Sequence, residues 1–412
     1  MLSRKDNDRL TLTGAGTPMG DLIRRYWIPA LLAEEVPTPD DPPVRVRLLG
    51  EQLVAFRDSK GRIGLVDEHC RHRGASLFYG RNEECGLRCI YHGWKFDVEG
   101  TVVDTPAEPN DALVRQGIRH TAYPTVERAG IVFAYLGPSE AMPLFPNYAW
   151  TEAPASHTYV TKSLQECNYL QGLEGECDSS HLSFLHRVLR GPGSNRPIFT
   201  SVNPVYEVEP TDFGVRLIAK RTLADGDSYV RISSFVMPIS CWVPARNKET
   251  HIYVPIDDTH SWRYDLGFLD RPLNEADRAN SRSNYLNADH SKIANRANDY
   301  LQDRAKQKTE TFTGMDGFLI HDSCATESMG PRFDRSKEYL GFGDLGVVAV
   351  RKVLLKALYA MEKGEAPPHL IRDGMPNRFP HIDAFDLTVP KGDDWRAHAP
   401  HLAESAKEKH NA

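Results

Sequence analysis

Residues 70–94 read CRHRGASLFYGRNEECGLRCIYHGW. Cys70-x-His72 and Cys89-x-x-His92 pair a thiol with an imidazole twice, across sixteen intervening residues. Two thiolates and two imidazoles in that order can bind zinc, or can hold a [2Fe-2S] cluster with the cysteines on one iron and the histidines on the other. The single residue between Cys70 and His72 is tighter than the usual spacing of zinc fingers. On both sides of the two boxes lie short β-branched and aromatic runs: VRVRLL, LVAF, IGLVD, WKFDVEG and GIVFAYLG. Asp58-Ser59-Lys60-Gly61 and Asp97-Val98-Glu99-Gly100 read as turns between them, which predicts a compact antiparallel β domain over 44–138.

The chain is 412 residues long, too long for one small core, so a larger second domain is expected. Before the β domain, residues 1–43 carry a glycine-rich turn and a short amphipathic helix. Gly14, Gly16 and Gly20 miss the dinucleotide-binding spacing, so no nucleotide site is expected there. A proline-rich connector follows over 139–160. The remainder, 161–391, alternates strand-like stretches such as VRLIAKRTL, YVRISSFVM, THIYVPID and WRYDLGFL with helices. It reads as an antiparallel sheet with one face covered. The helix after Asp344 ends at Gly364, with Pro367 and Pro368 as stop signals. A polar tail over 392–412 is expected to fray.

A charged fraction of 26% and an apolar fraction of 40% are those of an ordinary globular chain. A net charge of −6 without a basic block gives no footprint for a nucleic acid. No run approaches roughly 18 apolar residues, so neither a membrane span nor a signal segment is read, and a cytoplasmic location is expected. Seven scattered cysteines suit reduced thiols with a few metal ligands better than a disulfide framework.

A second constellation lies at 168–186, NYLQGLEGECDSSHLSFLH, where Asn168, Gln171, Glu174, Asp178 and His181 recur at helical steps. Asp178, His181 and His186 fall within nine residues and could hold a metal, although such groups also occur as satisfied polar residues of a core. His181 and His186 are about 140° apart on a helix, so the helix is expected to end or distort between them.

The boxes C-R-H-R-G-A-S-L and C-I-Y-H-G-W resemble those of a Rieske iron-sulfur domain, with Arg71 standing where many relatives carry proline. The extra cysteine pair of respiratory-chain Rieske domains is missing, and Cys85 has no obvious partner. With that domain in front, Asp178-x-x-His181-x-x-x-x-His186 is similar to the iron motif of Rieske non-haem iron oxygenases of the phthalate dioxygenase type. The resemblance covers nearly the whole chain. It implies an α+β molecule, a small all-β Rieske domain plus a catalytic domain with a helix-covered antiparallel sheet.

The same resemblance implies Cys70, His72, Cys89 and His92 as cluster ligands and His181 and His186 as ligands of a mononuclear Fe(II). Asp344 is the expected third ligand, because related proteins carry their carboxylate just ahead of a matching C-terminal helix. Asp344 read alone is an ordinary helix cap, and Asp322, Glu327 and Asp334 are the alternatives. Asp178 would link a cluster histidine of one subunit to an iron histidine of its neighbour in a homotrimer, supported by Asn168 and Gln171.

Implied partners are a separate NAD(P)H-dependent reductase, O2 and a small aromatic substrate. The expected reaction is cis-dihydroxylation of an aromatic carboxylate, with O-demethylation as the alternative within the family. A Rieske electron carrier and a zinc-stabilised module are rivals of another class. Arg216 and Arg231 are candidate carboxylate anchors, although strand arginines often lie on a solvated outer face.

Overall fold

Alternation of Val44, Val46 and Leu48 with Arg45 and Arg47 makes a strand with one buried face, Val44–Leu48. It turns at Leu49 and Gly50, both at positive φ, into the strand Glu51–Arg57. That pair of left-handed residues is the two-residue hairpin turn that matches strand twist. Leu49 tolerates it because the turn is docked: the N–H groups of Leu49 and Gly50 donate to the carbonyls of Pro255 and Ile256 at 2.9 and 2.8 Å. The β domain is thereby bonded to the larger sheet. The structure is a computed structural model that describes residues 1–109, 116–245, 248–279 and 282–402.

The β domain holds two four-stranded antiparallel sheets. One orders Val44–Leu48, Glu51–Arg57, Ile63–Asp67 and Ala122–Tyr123; the other orders Arg81–Glu83, Gly86–Arg88, Lys95–Phe96 and Val102–Asp104. Both expected turns are present: Asp58 Oδ1 accepts the N–H groups of Lys60 and Arg62, and Asp97 Oδ1 accepts those of Glu99 and Thr101. Val54, Phe56, Val66, Leu77, Leu87 and Phe96 form its core. A further strand of the first 43 residues, Trp27–Leu32, pairs with Ile131–Tyr135. The preceding helices Arg4–Thr11 and Pro18–Ile23 reach the other domain instead, with Tyr169 Oη donating to the Leu10 carbonyl and Arg9 paired with Glu362.

The larger domain is built on an eight-stranded antiparallel sheet. Seven strands run in the order Thr158–Gln165, Ser261–Phe268, Lys248–Pro255, Ser240–Val243, Ser228–Val236, Gly214–Thr222 and Val205–Pro210, and Phe385–Val389 pairs with Ser228–Val236. One face carries the helices Tyr169–Glu176 and Leu345–Glu362. The other is also covered, which corrects the expectation of a single covered face: Trp395, Ala399 and Leu402 pack on Ile218, Val230, Ile232 and Val389. The tail to Leu402 is therefore seated rather than frayed, and residues 403–412 lie outside the described residues. Burial on both faces removes the polar alternation of the central strands. Two glycines set the helix positions. A Cβ at Gly172 would stand 2.1 Å from the Tyr253 ring, and one at Gly346 would stand 2.4 Å from the Cys177 carbonyl.

Candidate metal centres and cavity

Both cysteine boxes fold into the same turn. In each, the cysteine N–H donates to the carbonyl five residues on (Ala75 at 2.9 Å, Trp94 at 2.8 Å). The glycine four residues on, Gly74 or Gly93, returns its N–H to the cysteine carbonyl at positive φ. The repeated turn explains why a glycine stands four residues after the cysteine in both boxes. It brings the imidazoles of His72 and His92 to 4.6 Å between centroids, with Trp94 stacked on His72 at 4.7 Å. Cys70 and Cys89 are buried and free, and burial pushes the Cys70 thiol up to about 11. His92 Nδ1 is buried without a hydrogen-bond partner among the described residues. Two buried thiols and an imidazole nitrogen left without a partner are a donor set that fits a [2Fe-2S] cluster of the two-cysteine, two-histidine kind.

The second centre starts where the helix Tyr169–Glu176 stops. It stops earlier than expected, ahead of both histidines, because Asp178-Ser179-Ser180 gives its backbone other partners. Asp178 Oδ1 accepts the Ser180 N–H at 2.6 Å, and Arg221 donates to the Ser179 carbonyl at 2.6 Å. A single 3-10 turn, His181–Ser183, then delivers His181 and His186 separately.

The carboxylate that meets them is Asp322, on the helix Phe318–Ser328. Asp322 Oδ1 lies 2.9 Å from His186 Nε2 and 3.9 Å from His181 Nε2. Among the described residues, His181, His186 and Asp322 form a trio whose ligand atoms all lie within 4.8 Å of one another. Arg263 holds the other oxygen, Oδ2, at 3.3 Å. Burial raises the Asp322 pKa, but His186, Arg263 and His181 outweigh it and hold the carboxyl well below its usual range. Burial pushes His186 down, toward the neutral form a metal needs.

Asp344 does not join this trio, which corrects the expected third ligand. Its Oδ2 accepts the Gly341 N–H at 2.7 Å in the turn before Leu345–Glu362. It faces a smaller cavity of about 220 Å³ that Asp178 and His181 also line. Glu327 is occupied by Lys292, Tyr300 and the Glu166 N–H, and Asp334 by Ser336. Asn168 stays away from the centre: it caps Tyr169–Glu176 and donates to the carbonyls of Thr11 and Asp258. Gln171 ties the two helices together, donating to the Thr326 and Gly330 carbonyls at 2.8 and 2.9 Å.

A cavity of about 710 Å³ opens beside His181, His186 and Asp322. Its sheet wall carries Leu217 and Ala219, which pair across the ladder with Ser233 and Arg231. Strand parity then separates the two candidate anchors. Arg231 faces the cavity, whereas Arg216 pairs with Ser234 on the opposite face, buried between Glu209 and the His381 carbonyl. Arg196, from the loop after His186, is a second cation on the cavity that the sequence reading missed. Neither Arg196 nor Arg231 has a carboxylate ion pair among the described residues.

The sequence matches the model of the Rieske [2Fe-2S] domain over residues 26–124 and that of the LigXa C-terminal domain like family over 134–411. The chain is 41% identical to the phthalate 4,5-dioxygenase oxygenase subunit of Pseudomonas putida, covering 96% of this chain and 94% of that one. It is 36% identical to the 3-chlorobenzoate-3,4-dioxygenase oxygenase subunit of Comamonas testosteroni, covering 96% and 97%. In fold it is similar to dicamba monooxygenase, with a TM-score of 0.60 at 18% identity over 84% of this chain and 100% of that one. Two metal-ready donor sets on these two domains, with full-length likeness to oxygenase subunits, show that the chain belongs to the Rieske non-haem iron oxygenases as an oxygenase (alpha) subunit of the phthalate dioxygenase-like group, an oxidoreductase whose cofactors are a Rieske [2Fe-2S] cluster and a mononuclear iron.

Proposed function

We propose that this oxygenase takes electrons from a separate NAD(P)H-dependent reductase and adds both atoms of O2 to an aromatic carboxylate as a cis-diol. One observation carries the reading: a single cavity is lined by His181, His186 and Asp322 and also by Arg196 and Arg231. Its volume is that of a small-molecule site, and arginine is the side chain that grips a carboxylate in two-point fashion. The names of the two relatives, a phthalate and a chlorobenzoate dioxygenase, agree with a ring bearing a carboxylate.

His181 and His186 through Nε2 and Asp322 through Oδ1 would hold the iron, a two-histidine, one-carboxylate set that leaves positions open. Bound there, iron supplies the activation of dioxygen, using electrons passed from the cluster. The chain does the rest. Arg231 and Arg196 orient the substrate by its carboxylate. Leu182, Ile198, Leu217, Ala219, Val243 and Phe318 give the ring apolar walls and exclude water.

Asp178 is the proposed link between subunits. Its Oδ2 lies 3.8 Å from His181 Nδ1, an atom that is buried without a hydrogen-bond partner among the described residues. Burial raises the Asp178 pKa more than the His181 imidazole lowers it. A cluster histidine from a neighbouring copy would give this carboxylate its second N–H donor. Two exposed apolar edges support that contact: Tyr79, Ile90 and Tyr91 around the cysteine boxes, and Tyr339 and Phe342, 92% and 100% exposed, just ahead of Asp344. Copies joined head to tail in a homotrimer would cover both.

The test is oxygen uptake with a panel of benzoates, phthalates and methoxylated aromatic acids and a compatible reductase. Product analysis then separates diol from phenol. Arg231→Ala and Arg196→Ala are each expected to raise KM for the carboxylate substrate about tenfold or more, the size of a lost charged hydrogen bond. An unchanged KM in both variants would remove the carboxylate anchor from the account.

A further inference from the structure

His186 and His321, 135 positions apart in sequence and both buried, face each other Nδ1 to Nδ1 at 3.1 Å. Their rings are within 23° of coplanar, and Phe318 stacks over His186 at 4.2 Å. Two lone pairs cannot meet at that distance, so one of the two nitrogens carries a hydrogen. The far side of His321 decides which. His321 Nε2 lies 3.0 Å from the Met315 carbonyl oxygen, an atom that can only accept, so the hydrogen of His321 sits on Nε2. With its hydrogen on Nε2, His321 offers a bare Nδ1, and His186 donates to it from its own Nδ1–H. That leaves the lone pair of His186 on Nε2, 2.9 Å from Asp322 Oδ1, a meeting of two acceptors that a cation held between them and His181 would satisfy.

We infer that His321 is a positioning residue for the metal centre: as a hydrogen-bond acceptor it fixes His186 in the Nδ1–H tautomer and points Nε2 at the metal. Metal-bound histidines are usually oriented by a carboxylate or a carbonyl, and such partners matter nearly as much as the ligands. Here an imidazole takes that place. It adds no negative charge beside the iron. His321 directly precedes Asp322 in the helix Phe318–Ser328, so one turn of helix brings a ligand together with the group that orients another.

This inference rests on the reading of His181, His186 and Asp322 as the iron ligands, and the experiment separates the two. Protein with its cluster retained and its mononuclear site emptied is titrated with Co(II) against a competing chelator, as wild type, His321→Gln, His321→Phe and His321→Leu. Glutamine can still accept from His186 and donate to Met315. Phenylalanine keeps the ring and its stacking but cannot accept, and leucine is a second non-accepting side chain should the larger ring disturb folding. The visible spectrum of the cluster and the Tm report folding.

The expected result is wild-type affinity within about threefold for His321→Gln and a loss of about 10–100-fold for His321→Phe and His321→Leu. The reverse order, with Phe tolerated and Gln not, would identify His321 as a packing residue and overturn the proposal, as would equal affinities throughout. Failure of the wild type to take up Co(II) would overturn the site reading itself, and the proposal with it.

Discussion

At the scale of single residues, the account turns on which carboxylate completes the iron site. Asp322 has both oxygens engaged, Oδ1 toward the histidines and Oδ2 toward Arg263, while Asp344 serves the turn before its helix. Asp322→Ala should therefore lose the mononuclear iron and keep the cluster. Asp344→Asn should keep both, as read by iron content after desalting. The boxes that would hold the cluster were legible because each is only a few residues long, and the proposed iron ligands His181 and His186 because their spacing is local. The proposed third ligand was not. Asp322 lies 136 positions beyond His186 and meets it only through tertiary packing, so a cap-like aspartate at a familiar helix start drew the stronger expectation. Arg216 misled for a related reason: two arginines in neighbouring strands look equivalent until the register Arg216↔Ser234 and Ala219↔Arg231 puts them on opposite faces.

At the scale of elements, the helix Tyr169–Glu176 is held by a largely buried carboxylate as well as by its apolar side. Glu174 accepts from Arg335 Nε and Nη2 at 2.9 Å and from Arg351 Nε at 2.6 Å. Burial raises the Glu174 pKa, but Arg335 and Arg351 outweigh it and bring the carboxyl below its usual range. Glu174→Ala, which leaves two buried arginines without it, should cost about 3–5 kcal/mol in denaturant unfolding. Because the folded carboxyl titrates lower than the unfolded one, its stabilisation is in place above about pH 4.3 and is lost as pH falls through the folded value.

Gly172→Ala pits two effects against each other. Helix propensity favours alanine by about 1 kcal/mol, but the added Cβ meets the Tyr253 ring at 2.1 Å. The Tyr253 hydroxyl is fixed on Glu176, so the ring has little freedom to yield. Overpacking of this kind costs about 1–3 kcal/mol, and a net loss is expected in the same unfolding measurement. The helix itself was legible from its polar spacing, but its early end was not, because the Ser179 and Ser180 contacts come from Arg221 and Tyr206 on distant strands.

At the scale of the whole molecule, the division into a β domain and a helix-covered sheet follows from strand rhythm and turn residues. What joins them does not: the Leu49-Gly50 turn bonds to Pro255 and Ile256 across two hundred residues. The chain carries the cysteine and histidine boxes for the cluster in the β domain and the proposed iron site in the larger domain, with Asp178 proposed as the link between copies. Asp178→Asn should retain both metals and the wild-type native mass, three chains in the proposed homotrimer, while slowing electron transfer from cluster to iron severely, as followed by bleaching and recovery of the cluster spectrum. Normal transfer in that variant would sink the link.

The most direct test of the oxygenase assignment is a single turnover without reductase. Protein carrying about three irons per chain is reduced chemically, mixed with O2 and an aromatic carboxylate, and quenched for product. Oxygenated product with reoxidation of the cluster is expected in the wild type, and in Asp322→Ala an intact cluster spectrum with no product. Product formed by Asp322→Ala at the wild-type yield would contradict the assignment.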